Sequence, residues 1–118
     1  YRRPSSSFGF SQAVDKTWEL YKTENAKPTA LRISFKSSVD FVGWYFWKTK
    51  KINKISLNNA YSLYLNYYLG WGNYANKTYK TDRKAIIFAK SVEKQSKIYK
   101  NQLRECQKSL DKKKYIIF

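Results

Sequence analysis

Between Ala85 and Cys106 the residues Ala85, Phe88, Ala89, Val92, Ser96, Tyr99, Leu103 and Cys106 recur at intervals of three and four. That spacing draws one stripe along an α-helix and does not match the period of two that a half-buried strand requires. A helix over 83–107 would be roughly 35 Å long at 1.5 Å per residue, enough to cross a small domain. Such a stripe needs a partner. The sequence offers two arrangements, a coiled coil or a lid laid against the tyrosine-rich segment that precedes it, and the nearby glycines favour the lid. Polar Ser96 interrupts the stripe once.

The tyrosine-rich segment is Asn59 to Tyr74, NAYSLYLNYYLGWGNY. Ala60, Leu63, Tyr64, Tyr67 and Tyr68 fall at helical spacing, with Asn58 or Asn59 at the cap position. Gly70 and Gly72 then supply backbone that tolerates positive φ, which predicts a helix over 57–69 ending in a Gly-Trp-Gly turn. An aromatic stripe of this kind is either core or the floor of a groove. Tyrosine suits sugar rings, because its face stacks on C–H bonds while its hydroxyl meets polar groups at the rim.

Two more helices are predicted upstream. Ala13 or Val14, Trp18 and Tyr21 give an apolar face over 11–23, with Asp15 and Glu19 near its positive N-terminal half. Ser37 and Asp40 form an S-x-x-D start for a helix over 37–50 carrying Val39, Phe41, Val42, Tyr45 and Phe46. Gly43 inside it costs about 1 kcal/mol against alanine, which a close helix contact would explain. Residues 1–9, 25–36 and 74–80 read as loops, and Asp82 as the cap of the last helix. The end, 111–118, carries Lys112 to Lys114 and then Tyr-Ile-Ile-Phe, and reads as a basic and apolar tail: an edge strand, a partner-binding peptide or a frayed end. The fold class is mainly α, one domain over 1–110 followed by that tail.

Charge and composition narrow the chemistry. A formal net charge of +16 over 118 residues favours polyanionic partners. The lysines are spread over every segment, with no pattern for reading bases, so specific nucleic-acid recognition is not expected. Histidine is absent, which removes Ser-His and Cys-His catalysis and histidine metal sites. Acid-base chemistry would fall to Asp15, Glu19, Glu24, Asp40, Asp82, Glu93, Glu105 or Asp111. Cys106 is the one cysteine, either buried or paired with something outside the chain. No metal or other cofactor is expected, and no run of 18 apolar residues exists to span a membrane.

Taken in order, these segments resemble the C-terminal two-thirds of a lytic transglycosylase domain of the lysozyme-like SLT superfamily. The resemblance runs from Arg3-Pro4-Ser5-Ser6-Ser7-Phe8-Gly9-Phe10-Ser11-Gln12-Ala13, through Trp18 and Tyr21, to Asp40-Phe41-Val42-Gly43-Trp44-Tyr45. It continues with Ala60 to Gly72 and closes with Gln102-Leu103 and Cys106. The resemblance implies a helical lysozyme-like fold that cleaves peptidoglycan between N-acetylmuramic acid and N-acetylglucosamine, in the bacterial periplasm or cell envelope. One glutamate would act first as acid and then as base, the muramyl 6-hydroxyl attacking to leave a 1,6-anhydro end.

Gln12 corresponds to the superfamily glutamine beside the sugar and Tyr67 to the tyrosine of its A-Y-N motif. The expected sugar-binding residues are Gln12, Tyr67, Tyr68, Gly70, Trp71 and Tyr74, in an open groove that needs the first helix to start beside the glycine turn. The family's glutamate belongs to an E-S-x-F motif before the R-P-S-S loop. The chain is therefore expected to be incomplete at its N-terminus and to carry no catalytic residue itself. Tyr68 and Leu69 stand where relatives commonly carry His-Glu, which alters the groove floor. The resemblance also implies a disulfide from Cys106 to a cysteine near the N-terminus of relatives, against a buried free thiol. Three functions compete: a glycan-cleaving domain, an inactive lysozyme-like module in an envelope or secretion assembly, and a basic module for nucleic acid or anionic lipid.

Overall fold

The computed structural model describes residues 5–116, with side chains described through residue 112. Arg3 and Pro4 of the R-P-S-S motif, the side chains of Lys113 and Lys114, and the last two residues lie outside what it describes. The described residues form five α-helices: α1 (Asp15–Glu24), α2 (Phe35–Asn53), α3 (Ala60–Leu69), α4 (Trp71–Ala75) and α5 (Arg83–Ile116). A single 3-10 turn, Thr78–Thr81, precedes α5, and no strand occurs among the described residues beyond one isolated bridge between Phe8 and Ala13. The mainly α, lysozyme-like class read from the sequence holds. The chain divides into two compact units, Tyr1–Lys51 and Ile52–Phe118.

The first unit is built on aromatic rings. Trp18 and Tyr21 of α1 meet Phe41, Trp44 and Tyr45 of α2, all buried. Centroids stand 5.2 Å apart for Trp18 and Phe41, and 5.5 Å for Tyr21 with each of Phe41 and Trp44. Tilted and edge-on pairs of this kind add about 0.5–1.5 kcal/mol each beyond their buried area. Three polar tips are satisfied by hydrogen bonds. Trp18 Nε1 donates to Ala30 O, Tyr21 OH to Asp40 Oδ2 at 2.6 Å, and Trp44 Nε1 to Glu24 Oε1.

Helix boundaries differ from expectation for local reasons. α1 begins at Asp15 rather than residue 11 because Gly9 to Ala13 closes a turn in which Gln12 has φ 56°. It ends in a Schellman arrangement, with Lys27 N–H bonded to Lys22 O and Ala26 N–H to Thr23 O. Ala26 occupies the left-handed position at φ 52°. α2 begins two residues early because Ser34, not Ser37, is the cap: Ser34 Oγ accepts from Ser37 N–H, and Ser34 O from Ser38 N–H. Asp40 is thereby released from capping and serves Tyr21 instead. The close helix contact expected at Gly43 is absent, since a Cβ there would meet nothing within 4 Å.

In the second unit α5 lies on α3, as a lid over the tyrosine helix should. Leu65, Ala85 and Ala89 are fully buried, with Tyr61, Tyr64, Leu69, Tyr74 and Tyr79 packed around them. Asn59, one of the two asparagines read as the cap, caps α3 through Ser62 N–H to its Oδ1, so that α3 begins at Ala60 rather than residue 57; Asp82 Oδ1 caps α5 through Ala85 N–H, as read from the sequence. Two expectations fail. The stripe on α5 is covered only at its start, and Tyr99, Leu103, Cys106 and Leu110 are exposed. The helix also continues through Ile116, so residues 111–116 are helical and not an edge strand. Among the described residues no helix is long and apolar enough to cross a membrane.

Candidate functional site

The loop that carries Gln12 is pinned by one arginine. Arg32 Nη1 donates to Ser6 O at 2.8 Å and to Ala13 O at 3.0 Å, and its Nη2 lies 2.7 Å from Asp15 Oδ1. The guanidinium also stands over the Phe8 ring, 5.2 Å from the centroid. Arg32 O in turn accepts from Phe10 N–H and Ser38 Oγ–H. This close approach requires Gly9, whose φ is 81° and where any Cβ would collide with Arg32 O. Sequence reasoning missed Arg32 because residues 25–36 have no period.

Gln12 itself is exposed, and its Nε2 donates to Gly9 O at 2.9 Å, an arrangement that uses the amide's donor and not its acceptor oxygen. It belongs to the first unit. The other five expected site residues belong to the second.

There, α3 ends at Gly70, whose φ of 88° breaks the helix and starts α4 at once. The expected Gly-Trp-Gly turn is therefore a one-residue break: Gly72 lies inside α4 and Trp71 opens it. Trp71 is partly buried, and its carbonyl accepts from Asn53 Nδ2 at 3.2 Å. The same Asn53 Nδ2 donates to Asn66 Oδ1 at 2.7 Å, and Asn66 Nδ2 donates to Ser62 O. Asn66 is wholly buried, so this amide pair fixes the end of α2, α3 and the break together. Nothing in a tyrosine stripe announced an internal asparagine as its anchor.

The tyrosines divide into packed and presented ones. Tyr74 stacks on Tyr79 with centroids 5.1 Å apart and packs against the core while staying partly exposed. Tyr67 is partly buried. Tyr68 is 45% exposed, the largest value among the expected tyrosines, and is held by stacking on Tyr64 at 5.9 Å and by the edge of Phe88 at 6.4 Å. Burial, then the Tyr68 hydroxyl, raises the Tyr64 phenol above its ordinary value.

Two carboxylates are shifted, and in the direction opposite to that of a general acid. The Lys48 hydrogen bond, helped by Trp44 Nε1, holds Glu24 below its ordinary value against a burial cost. Lys27, then Tyr21, does the same for Asp40. A glycosidase acid must instead be held protonated. Burial, reinforced by Asp40, pushes the Tyr21 phenol well above its usual range, so it remains the donor in that pair.

Among the described residues no group of three or more Cys, Asp or Glu side chains could hold a metal ion. Cys106 is exposed, which removes the buried-thiol alternative.

A comparison with protein-family models matches residues 1–106 to the transglycosylase SLT domain. No curated protein and no solved structure matches the chain. The family match covers the pinned loop, both aromatic helices of the first unit, the tyrosine helix with its glycine break, and α5 as far as Cys106. The chain thus belongs to the transglycosylase SLT domain family, lytic-transglycosylase-like domains of peptidoglycan-related function typical of bacterial cell-envelope proteins.

Proposed function

We propose that this domain binds the MurNAc-GlcNAc glycan of peptidoglycan in the cell envelope, in the manner of a lytic transglycosylase. Gln12, Tyr67, Tyr68, Gly70, Trp71 and Tyr74 are the residues that would meet the sugar. The observation that carries this reading is Tyr68, half exposed on a family-matched helix and oriented by Tyr64 and Phe88. A large aromatic ring kept ordered and uncovered is a stacking surface for a sugar. Gln12 would supply an amide to an N-acetyl or hydroxyl group. The carboxylates Glu24 and Asp40 are held below their ordinary values rather than protonated, and the role proposed for Gln12 and the aromatic residues is to bind and orient the glycan. The family's E-S-x-F glutamate is absent from this sequence.

The charge of +16 requires that sugar binding be separated from polyanion binding. Retention on purified sacculi should persist from about 0.15 M to about 1 M salt, where exposed charges are screened within a few ångströms. Tyr68→Ala should lower that retention with little change in melting temperature. Retention that collapses with salt and ignores Tyr68 would support the basic-module reading instead.

A further inference from the structure

We propose that the outer face of α2 carries a sugar-binding notch of its own, centred on Gly43 between the Trp47 indole and the Asp40 carboxylate. The ligand class rests on the glycan-binding reading above, but the surface is separate from the residues assigned there. The starting point is a glycine that packing does not explain. Gly43 stands within a 19-residue helix, where glycine costs about 1 kcal/mol against alanine. It needs no positive φ, and a Cβ there would touch nothing. What the missing side chain does is bare the helix backbone in a cavity of about 520 Å³ lined by Asn25, Val39, Asp40, Gly43, Trp44 and Trp47.

The walls have the chemistry of a sugar site. Asp40, Gly43 and Trp47 succeed one another at three and four residues, on one helix face. Seven residues separate the two ends, about 10 Å along the axis, room for a pyranose ring and its linkages. Trp47 is 46% exposed, and the Lys51 ammonium 4.0 Å from its centroid orders the ring. Val39 extends the apolar wall and is 55% exposed.

At the other end, Asp40 Oδ2 accepts from Tyr21 OH at 2.6 Å and from Lys27 Nζ at 2.8 Å. Those bonds orient the carboxylate and leave Oδ1 to accept from ligand hydroxyls. Asn25 Nδ2 is engaged by Tyr21 O, leaving its amide oxygen as a second acceptor. An indole face beside fixed acceptor oxygens matches a ring with C–H bonds on one side and hydroxyls at its edge. A cationic ligand fits less well, because lysine ammoniums already sit on both the carboxylate and the indole. A polyanion would meet the Asp40 carboxylate.

The test is a titration of the 118-residue chain with a soluble tetramer of N-acetylglucosamine, read by tryptophan fluorescence, on wild type, Trp47→Ala and Gly43→Leu. Gly43→Leu projects a side chain into the notch from a Cβ that meets nothing within 4 Å, and replaces glycine by a better helix former, so it should melt no lower than wild type. Both variants should weaken binding at least about tenfold. Wild-type affinity in both variants, or no binding by the wild type, overturns the proposal. Sacculus retention of Tyr68→Ala separates the two readings. Loss there with unchanged tetramer binding in Gly43→Leu removes the notch and keeps the glycan function. Retention independent of Tyr68 with tetramer binding lost in Gly43→Leu keeps the notch and removes the Tyr68 surface.

Discussion

Replacing Arg32 by alanine tests whether one side chain holds the Gln12 loop in place. The guanidinium makes two hydrogen bonds to carbonyls 26 and 19 residues away and one ion pair, with its own side chain only 18% exposed. Charge-assisted hydrogen bonds of this kind contribute about 1.5–3 kcal/mol each where the acceptor would otherwise lose water. The Asp15 partner is 62% exposed, so that pair adds at most about 1 kcal/mol. Ser6 lies in an edge loop where water can replace the lost donor, which lowers the expected total to about 2–3 kcal/mol. Arg32→Ala should therefore lower the melting temperature by roughly 10 °C. It should also speed hydrogen exchange at the Gln12 amide, whose bond to Gly9 O closes the turn at 3.2 Å. Arg32→Lys should recover only part of the loss, since a single ammonium cannot fork to two carbonyls and a carboxylate. If Arg32→Ala melts with the wild type and the Gln12 amide exchanges no faster, Arg32 does not hold the loop.

Ala26→Gly should raise stability by about 0.5–1 kcal/mol, seen as a higher denaturation midpoint, because Ala26 holds a left-handed conformation at φ 52° that glycine adopts without strain. An unchanged or lower midpoint would count against that strain. Asn66→Ala should cost about 2–3 kcal/mol, since it strips Asn53 of a buried acceptor; a loss below about 1 kcal/mol would show that water substitutes. Asp40 has a folded value lowered from 3.8, so its contribution is present above about pH 4 and is lost as pH falls through the lowered value. Asp40→Asn should flatten the acid limb of the melting profile, and an unaltered limb would refute the linkage. Exposed Cys106 should resist alkylation until reduced, in protein taken from its native compartment, if it is held in a disulfide. One thiol that alkylates without reduction would end that proposal.

The helices were legible because their signals are local. The caps Asn59 and Asp82 and the period of α5 all act within four residues, and each stands where the pattern put it. The failures are also physical. A period identifies a helix and its face but says nothing of how far a partner extends. α3 has 10 residues and α5 has 34, so Ala85 and Ala89 are buried while Leu103, on the same stripe, is 70% exposed. Similarly, S-x-x-D at Ser37 is a legitimate cap signal, but Ser34 lies closer to the chain reversal anchored by Arg32 and captures the role.

The candidate site was legible only in its residue types. Tyr68 and Tyr74 lie six residues apart in one aromatic run, yet one is presented and the other packed on Tyr79. What separates them is the Gly70 break, which changes the helix axis between them, and no periodicity extends across such a break. The residues that fix these loops and helix ends, Arg32 and Asn66, act through individual side chains hydrogen-bonded across 13 to 26 positions. Such bonds leave no repeat in the sequence, because one donor in the right place suffices. Gly43 is the instructive contrast: its sequence anomaly was visible, and the packing explanation offered for it fails in the structure. A helix-weakening residue without a packing reason is what a surface shaped for a ligand would contain.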